Sequence, residues 1–269
     1  MSVPKSLDSS LYSDRLIVIV LLVSVTIASW LFIINGGGMG MPALKMTSLD
    51  LAYGGGIRMP LEMASWTTGY AVVMFFMWWV MMIAMMLPSA STAILLFMRA
   101  HNNSTESERS YLPTIVFASG YLTAWAGFSA LATGAQWFLE DANLLNKMMA
   151  TTSPVLGGGL LLVAGLWQFT PWKYACLRHC RSPVIFLMAR WRSGRIGTFV
   201  MGMDHGAFCL GCCWFLMALL FFGGIMNLWW IGGLALYVLA EKLMPAGHWL
   251  GYGLGVILTL WGLAIVLSI

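Results

Sequence analysis

The chain has 269 residues, 60% of them hydrophobic and only 9% charged, with a formal net charge of +4. A soluble domain carries roughly 25% charged residues, so this composition, with 14 Trp, 21 Met and 29 Gly, points to a polytopic membrane protein instead. No stretch alternates basic and aromatic residues as a nucleic-acid groove does, and five cysteines, none in a plausible extracellular loop, argue against a disulfide framework.

A helix needs about 20 apolar residues to cross the hydrocarbon core. On that measure the sequence predicts an all-α, polytopic transmembrane helix bundle forming one integral membrane domain over 1–269. Its spans fall near 16–34, 67–98, 114–139, 155–170, 198–223, 228–243 and 250–268. The fourth and sixth are short, so six spans is the alternative to seven. The first follows a long polar lead, fills a bilayer and has no small-x-small cleavage site after it, which reads as a retained helix rather than a signal peptide. The loop from Asn35 to Ser65 is rich in Gly and Met and reads either as a flexible flap or as a loose connection. The second span is too long for a simple crossing, and Pro88 is expected to kink it or split it.

Lys and Arg set the orientation. With the amino end inside, the inner segments carry Lys5, Arg15, Arg99, Arg109, Lys173, Arg178, Arg181, Arg190, Arg192, Arg195 and Lys242, and the outer ones only Lys45, Arg58 and Lys147. The expected location is the bacterial inner membrane with a cytoplasmic N-terminus. That makes the Asn102-Asn103-Ser104 sequon in the inner loop irrelevant. Glycine clusters such as Gly157-Gly158-Gly159 and Gly251-x-x-x-Gly255 suit close helix packing in lipid.

Three stretches carry candidate chemistry. In the second span, Met74, Met77, Met81 and Met85 fall within about 80° of one another on a helix, and a thioether ladder suits Cu(I). Met is also an ordinary gap-filler, and Trp78 and Trp79 read as packing. After the fourth span, Pro171 and Pro183 bracket a short helix. It puts Cys176 and Cys180 on one face with His179 on the flank, and Lys173, Arg178 and Arg181 favour thiolates there. In the fifth span, His205, Cys209 and Cys212 fall on one face at i, i+4 and i+7, with Met201 a turn earlier. Imidazole and thiols on one stripe make a soft-metal ligand set. At 1.5 Å per residue from Thr198, His205 and Cys209 lie roughly 10–17 Å deep, where a site shared with Cys176 and Cys180 near the cytoplasmic face is geometrically possible. Asp204 reads either as an orienting partner for a ligand or as an ion-pair partner of an arginine such as Arg195. Cys213 reads as structural, Lys242 as a snorkelling lysine, and Glu241 is open. His101 and His248 read as interfacial. A bis-histidine haem, a phosphate-binding glycine loop and an acyl-transfer cysteine fit poorly.

The run Gln168-x-x-Pro171-x-Lys173-x-x-Cys176-Leu177-x-x-Cys180-Arg181, with Cys209-x-Gly211-Cys212-Cys213-Trp214 and Met77-Trp78-x-x-Met81-x-x-Ala84-Met85-Met86-x-Pro88, resembles a bacterial family of predicted metal-binding integral membrane proteins. That family is catalogued as a domain of unknown function, and some members carry a copper-chaperone-like label. The resemblance covers most of the chain after the first span and implies Cys176, Cys180, Cys209, Cys212 and His205 as candidate ligands. The expected function is copper handling: binding Cu(I) and passing it to a partner, with zinc as the second metal. The expected partners are the lipid bilayer and a metal-donor or metal-acceptor protein, not nucleic acid. A membrane subunit or assembly factor of an enzyme complex, and a thiol- or metal-dependent membrane redox enzyme, are the alternatives.

Overall fold

The computed structural model describes residues 5–53, 66–102, 111–146, 149–245 and 247–269. Residues 54–65 of the loop from Asn35 to Ser65, Arg58 among them, and Asn103-Ser104, Arg109 and Lys147, used above for the loops and the orientation, lie outside the described residues. The described chain is helical: α1 (Lys5–Ile34), α2 (Ala43–Tyr53), α3 (Thr68–Asn102), α4 (Tyr111–Asp141), α5 (Pro154–Trp167), α6 (Pro171–Arg181), α7 (Pro183–Arg190), α8 (Gly194–Ala218), α9 (Leu220–Gly223), α10 (Leu228–Leu243) and α11 (Gly247–Leu267).

Among the described residues, five helical stretches are long and apolar enough to cross a membrane: Ser13–Ile34, Thr68–His101, Tyr111–Asp141, Gly194–Gly223 and Gly247–Leu267. A sixth exists if α5 and α6, bent 65° at their junction, are taken as one span. The sequence predicts seven spans with six as the alternative, and what separates seven from six here is α10. Its predicted bounds coincide with those found, but 16 residues extend only ~24 Å.

Two expectations about helix continuity are corrected. Part of the Gly- and Met-rich connection after Ile34 folds as α2. Pro88 does not split the second span, because α3 runs through it as one helix. Hydroxyl groups serve the carbonyls around the proline: Ser89 Oγ donates to Met86 O at 2.9 Å and Ser91 Oγ to Pro88 O at 2.7 Å. The short helix between the prolines forms as the sequence predicts. Thr170 caps it by accepting from the Lys173 amide.

The core is built around α8, which packs against α4, α6 and α5. The α4–α8 crossing depends on two glycines. A Cβ at Gly202 would lie 2.0 Å from Phe117 O, and one at Gly120 would lie 2.1 Å from Phe199 O. Only hydrogen fits at either place, so the two backbones touch. Around this core the outer helices expose apolar side chains, among them Leu16, Val20, Val23, Ile27 and Leu31 on α1 and Ile257, Leu260 and Leu267 on α11. Such a surface suits hydrocarbon rather than water. Several long apolar helices are thus compatible with a membrane protein.

Candidate functional site

The site gathers on Cys209, which is 1% exposed. It lies fifteen residues from the start of α8, or ~22 Å along the axis, near the midpoint of the apolar stretch Gly194–Gly223. Two groups from other helices meet its sulfur. Lys242 Nζ of α10 donates to Cys209 Sγ at 2.9 Å, and the Tyr121 hydroxyl of α4 is 3.2 Å from the same atom. Lys242 also donates to Ser89 Oγ of α3 at 3.0 Å, and Tyr121 to Met86 O at 3.3 Å. Lys242 is therefore not a snorkelling residue. It is 7% exposed and turned inward, because a buried ammonium needs acceptors and Cys209 and Ser89 supply them.

Three more thiols surround this sulfur. Cys180, brought in by α6, interacts side chain to side chain with Cys209 and Cys212. Cys213 does the same. The thiols of Cys212 and Cys213 both donate to the Cys209 carbonyl at 3.0 Å. All five cysteines are free. Cys176 is only half-buried, and a Cβ at Gly211 would lie 2.6 Å from its Sγ. The glycine within Cys209-x-Gly211-Cys212-Cys213 is thus the point where α6 comes down on α8. Trp167 Nε1 donates to Gly211 O at 3.2 Å beside it.

The histidines and Asp204 separate. His205 is 2% exposed, ringed by Phe117, Tyr121 and Phe186. Its Nδ1 is buried without a hydrogen-bond partner among the described residues. The side chain is near enough to feel the charges of Cys209 and Lys242. His179 stacks on Phe208 at 4.1 Å and turns its Nδ1 to Ala175 O of its own helix. Asp204 faces outward and pairs with Arg190 at 3.2 Å and Arg192 at 3.5 Å, rather than with Arg195. Of its two sequence readings, these contacts match the ion pair. Met77, Met81 and Met85 are all buried in the core. Met77 lies beside Gly37 and Met226, whose methyl group is also close to Gly37.

A second buried polar group adjoins the first. Lys173 at the start of α6 forms an ion pair with Glu241 of α10, and both are at most 1% exposed. Lys173 also donates to Gln168 Oε1, and Tyr237 OH donates to Glu241 Oε1 at 3.1 Å. Two ammoniums and one carboxylate are therefore buried in succession, which leaves one positive charge opposite Cys209.

Among the described residues no three His, Cys, Asp or Glu side chains are arranged to hold a metal ion in the conformation observed. The Cys212 and Cys213 thiols are turned back onto a carbonyl of their own helix. The donor set nevertheless suits a soft cation. Cys180 of α6 interacts side chain to side chain with Cys209 and Cys212 of α8, as does Cys213, and one turn from Cys209 the His205 Nδ1 has no hydrogen-bond partner among the described residues.

A family model described as PpoB2, copper chaperone, matches residues 75–265. No curated protein and no solved structure matches the chain.

Proposed function

The chain belongs to the PpoB2 copper chaperone family, and from that membership we propose that it carries Cu(I) as cargo, binding it at Cys209 within the bacterial inner membrane and passing it to an acceptor protein. The observation that carries this reading is the sulfur of Cys209, met by the Lys242 ammonium and a phenol and surrounded by three further thiols. The ammonium donating to that sulfur fits a thiolate, the form that binds metal.

In this reading Cys209 is the resident ligand. Cys180 and Cys212 join it by side-chain rotation, each thiol that becomes a thiolate releasing one proton. His205 stands next in reach. Cu(I) is satisfied by few soft ligands, so the cargo can enter by recruiting one sulfur at a time. Cys176, half-buried at the edge of the cluster, is suited to first contact with a donor or an acceptor protein.

The test is anaerobic competition for Cu(I) against a chromogenic chelator, on the purified wild type and on Cys209→Ser. Loss of an outer partner of a metal ligand costs roughly 10–100-fold, so loss of the central ligand should weaken binding by more than about 100-fold. Unchanged affinity in Cys209→Ser sinks the assignment.

A further inference from the structure

At the opposite end of α3 and α4 from the cysteine cluster lies a third buried polar group, one that the Cys209 site does not use. Gln136 of α4 is fully buried. Its Oε1 accepts from Trp78 Nε1 at 2.8 Å. Its Nε2 faces three acceptors: Glu140 Oε1 at 2.8 Å, Met149 Sδ at 3.4 Å and Met74 Sδ at 3.6 Å. A side-chain amide has two N–H protons, so this pocket holds one more acceptor than it has protons. Two of the three are thioethers drawn from different parts of the chain. The other Glu140 oxygen accepts from Trp66 Nε1 at 2.7 Å, which fixes the carboxylate.

Met149 reaches this place at a cost in backbone conformation. It has φ +57°, in the left-handed region that a bulky side chain rarely adopts. The turn is held there by hydrogen bonds from Asn146 N to Ala150 O, Met149 N to Asn146 O and Ala150 N to Asn146 Oδ1. Strain of this kind persists where the surrounding structure over-determines it, and it gathers at ligand clamps. The clamp here brings two thioethers and a carboxylate around one amide nitrogen. Unlike Met74, Met149 is only half-buried, so the group has a way in.

We infer that Met74, Met149 and Glu140, gathered on Gln136, form a second site for a soft monovalent cation, the loading station from which Cu(I) enters the bundle. Two thioethers and a carboxylate hold such an ion weakly enough to let it go, whereas the thiols at Cys209 hold it more firmly. The stripe Met74, Met77, Met81 and Met85 then leads along α3. Each step is one helical turn and the whole run is ~16 Å, with every side chain buried. This inference rests on the reading of the chain as a Cu(I) carrier.

The experiment is equilibrium dialysis of the full-length protein in detergent against Ag(I), a redox-inert mimic of Cu(I). It compares the wild type, Met74→Leu/Met149→Leu and Cys180→Ser/Cys209→Ser. The thioether variant is expected to lose one bound equivalent and keep the tighter one, and the thiol variant to do the reverse. If the thioether variant binds as the wild type does while the thiol variant fails, the loading station is wrong and the carrier reading stands. If only the thioether variant loses binding, the station stands and the Cys209 assignment falls. Wild-type binding in both overturns both. Because Met-to-Leu changes alter packing, a second measurement uses intact methionines. In the thiol variant, Ag(I) should slow peroxide oxidation of Met149 to its sulfoxide, read by peptide mass spectrometry. Equal oxidation with and without Ag(I) overturns the site.

Discussion

Gly211 and Cys176 show how the residue scale controls the centre. Each belongs to a cysteine motif recognisable in the sequence, but their contact is visible only in the fold. Gly211→Ala would place a methyl 2.6 Å from Cys176 Sγ and push α6 off α8. Overpacking of this kind costs about 1–3 kcal/mol. Denaturant unfolding in detergent should show that loss, and Gly211→Ala/Cys176→Ala should recover most of it, because the opposing sulfur is gone. A single variant no less stable than the wild type would refute the contact. The sequence also displayed Cys209, Cys212 and His205 as one stripe, since i, i+4 and i+7 need only helical periodicity. It did not display Lys242, Tyr121 or Ser89. Lys242 is 33 positions from Cys209 and 153 from Ser89, and a lysine in a last helical turn looks the same whether it points to water or inward. Cys213 reads from the sequence as structural because a cysteine is a small hydrophobe common in apolar helices, whereas its thiol donates to the carbonyl at i−4. Those back-bonds also bear on selectivity. An ion content with Cys209 and Cys180 leaves those of Cys212 and Cys213 intact, whereas a tetrahedral Zn(II) held by all four thiols must break both.

At the scale of elements, the break between α5 and α6 is the part that places Cys180. Its local signals were all legible: Pro171 in the first turn, Thr170 as cap and Pro183 beginning the next helix. What holds the bend was not, because Lys173 and Glu241 are partners 68 positions apart. Breaking a buried pair strands a charge and costs roughly 3–5 kcal/mol, whereas replacing both partners by apolar groups is often neutral. Lys173→Met should therefore lower the unfolding midpoint sharply, and Lys173→Met/Glu241→Met should restore most of it. A double variant as unstable as the single one would show that the ion pair does not fasten the bend. The glycine runs were legible as packing devices only in part. Gly158, Gly165, Gly255 and Gly262 do join α5 to α11, while Gly232 and Gly233 of α10 face open space. A small residue permits close approach without saying which neighbour arrives.

For the molecule as a whole, apolar run length predicted the helices well, and counting them as spans was harder. Length decides it: α10 begins and ends where the hydropathy places it, but it is too short to qualify by itself. The helix sequence also did not reveal that charge is strung through the interior. Lys173, Glu241, Lys242 and Cys209 follow one another across α6, α10 and α8. With Cys209 as thiolate the string is neutral, so a monovalent ion held by Cys209 alone, before a further thiol gives up its proton, adds a full positive charge halfway along α8. In a bilayer, a charge at the midplane feels about half of the transmembrane voltage, ~1.1 kcal/mol per 100 mV. Occupancy of the bundle would then follow the energised state of the cell. In reconstituted vesicles, imposing 100 mV should shift Ag(I) affinity by about sixfold, with opposite signs for the two polarities. Equal affinity at all potentials would place Cys209 outside the field. A carrier built this way would fill when the membrane is charged and empty as it discharges.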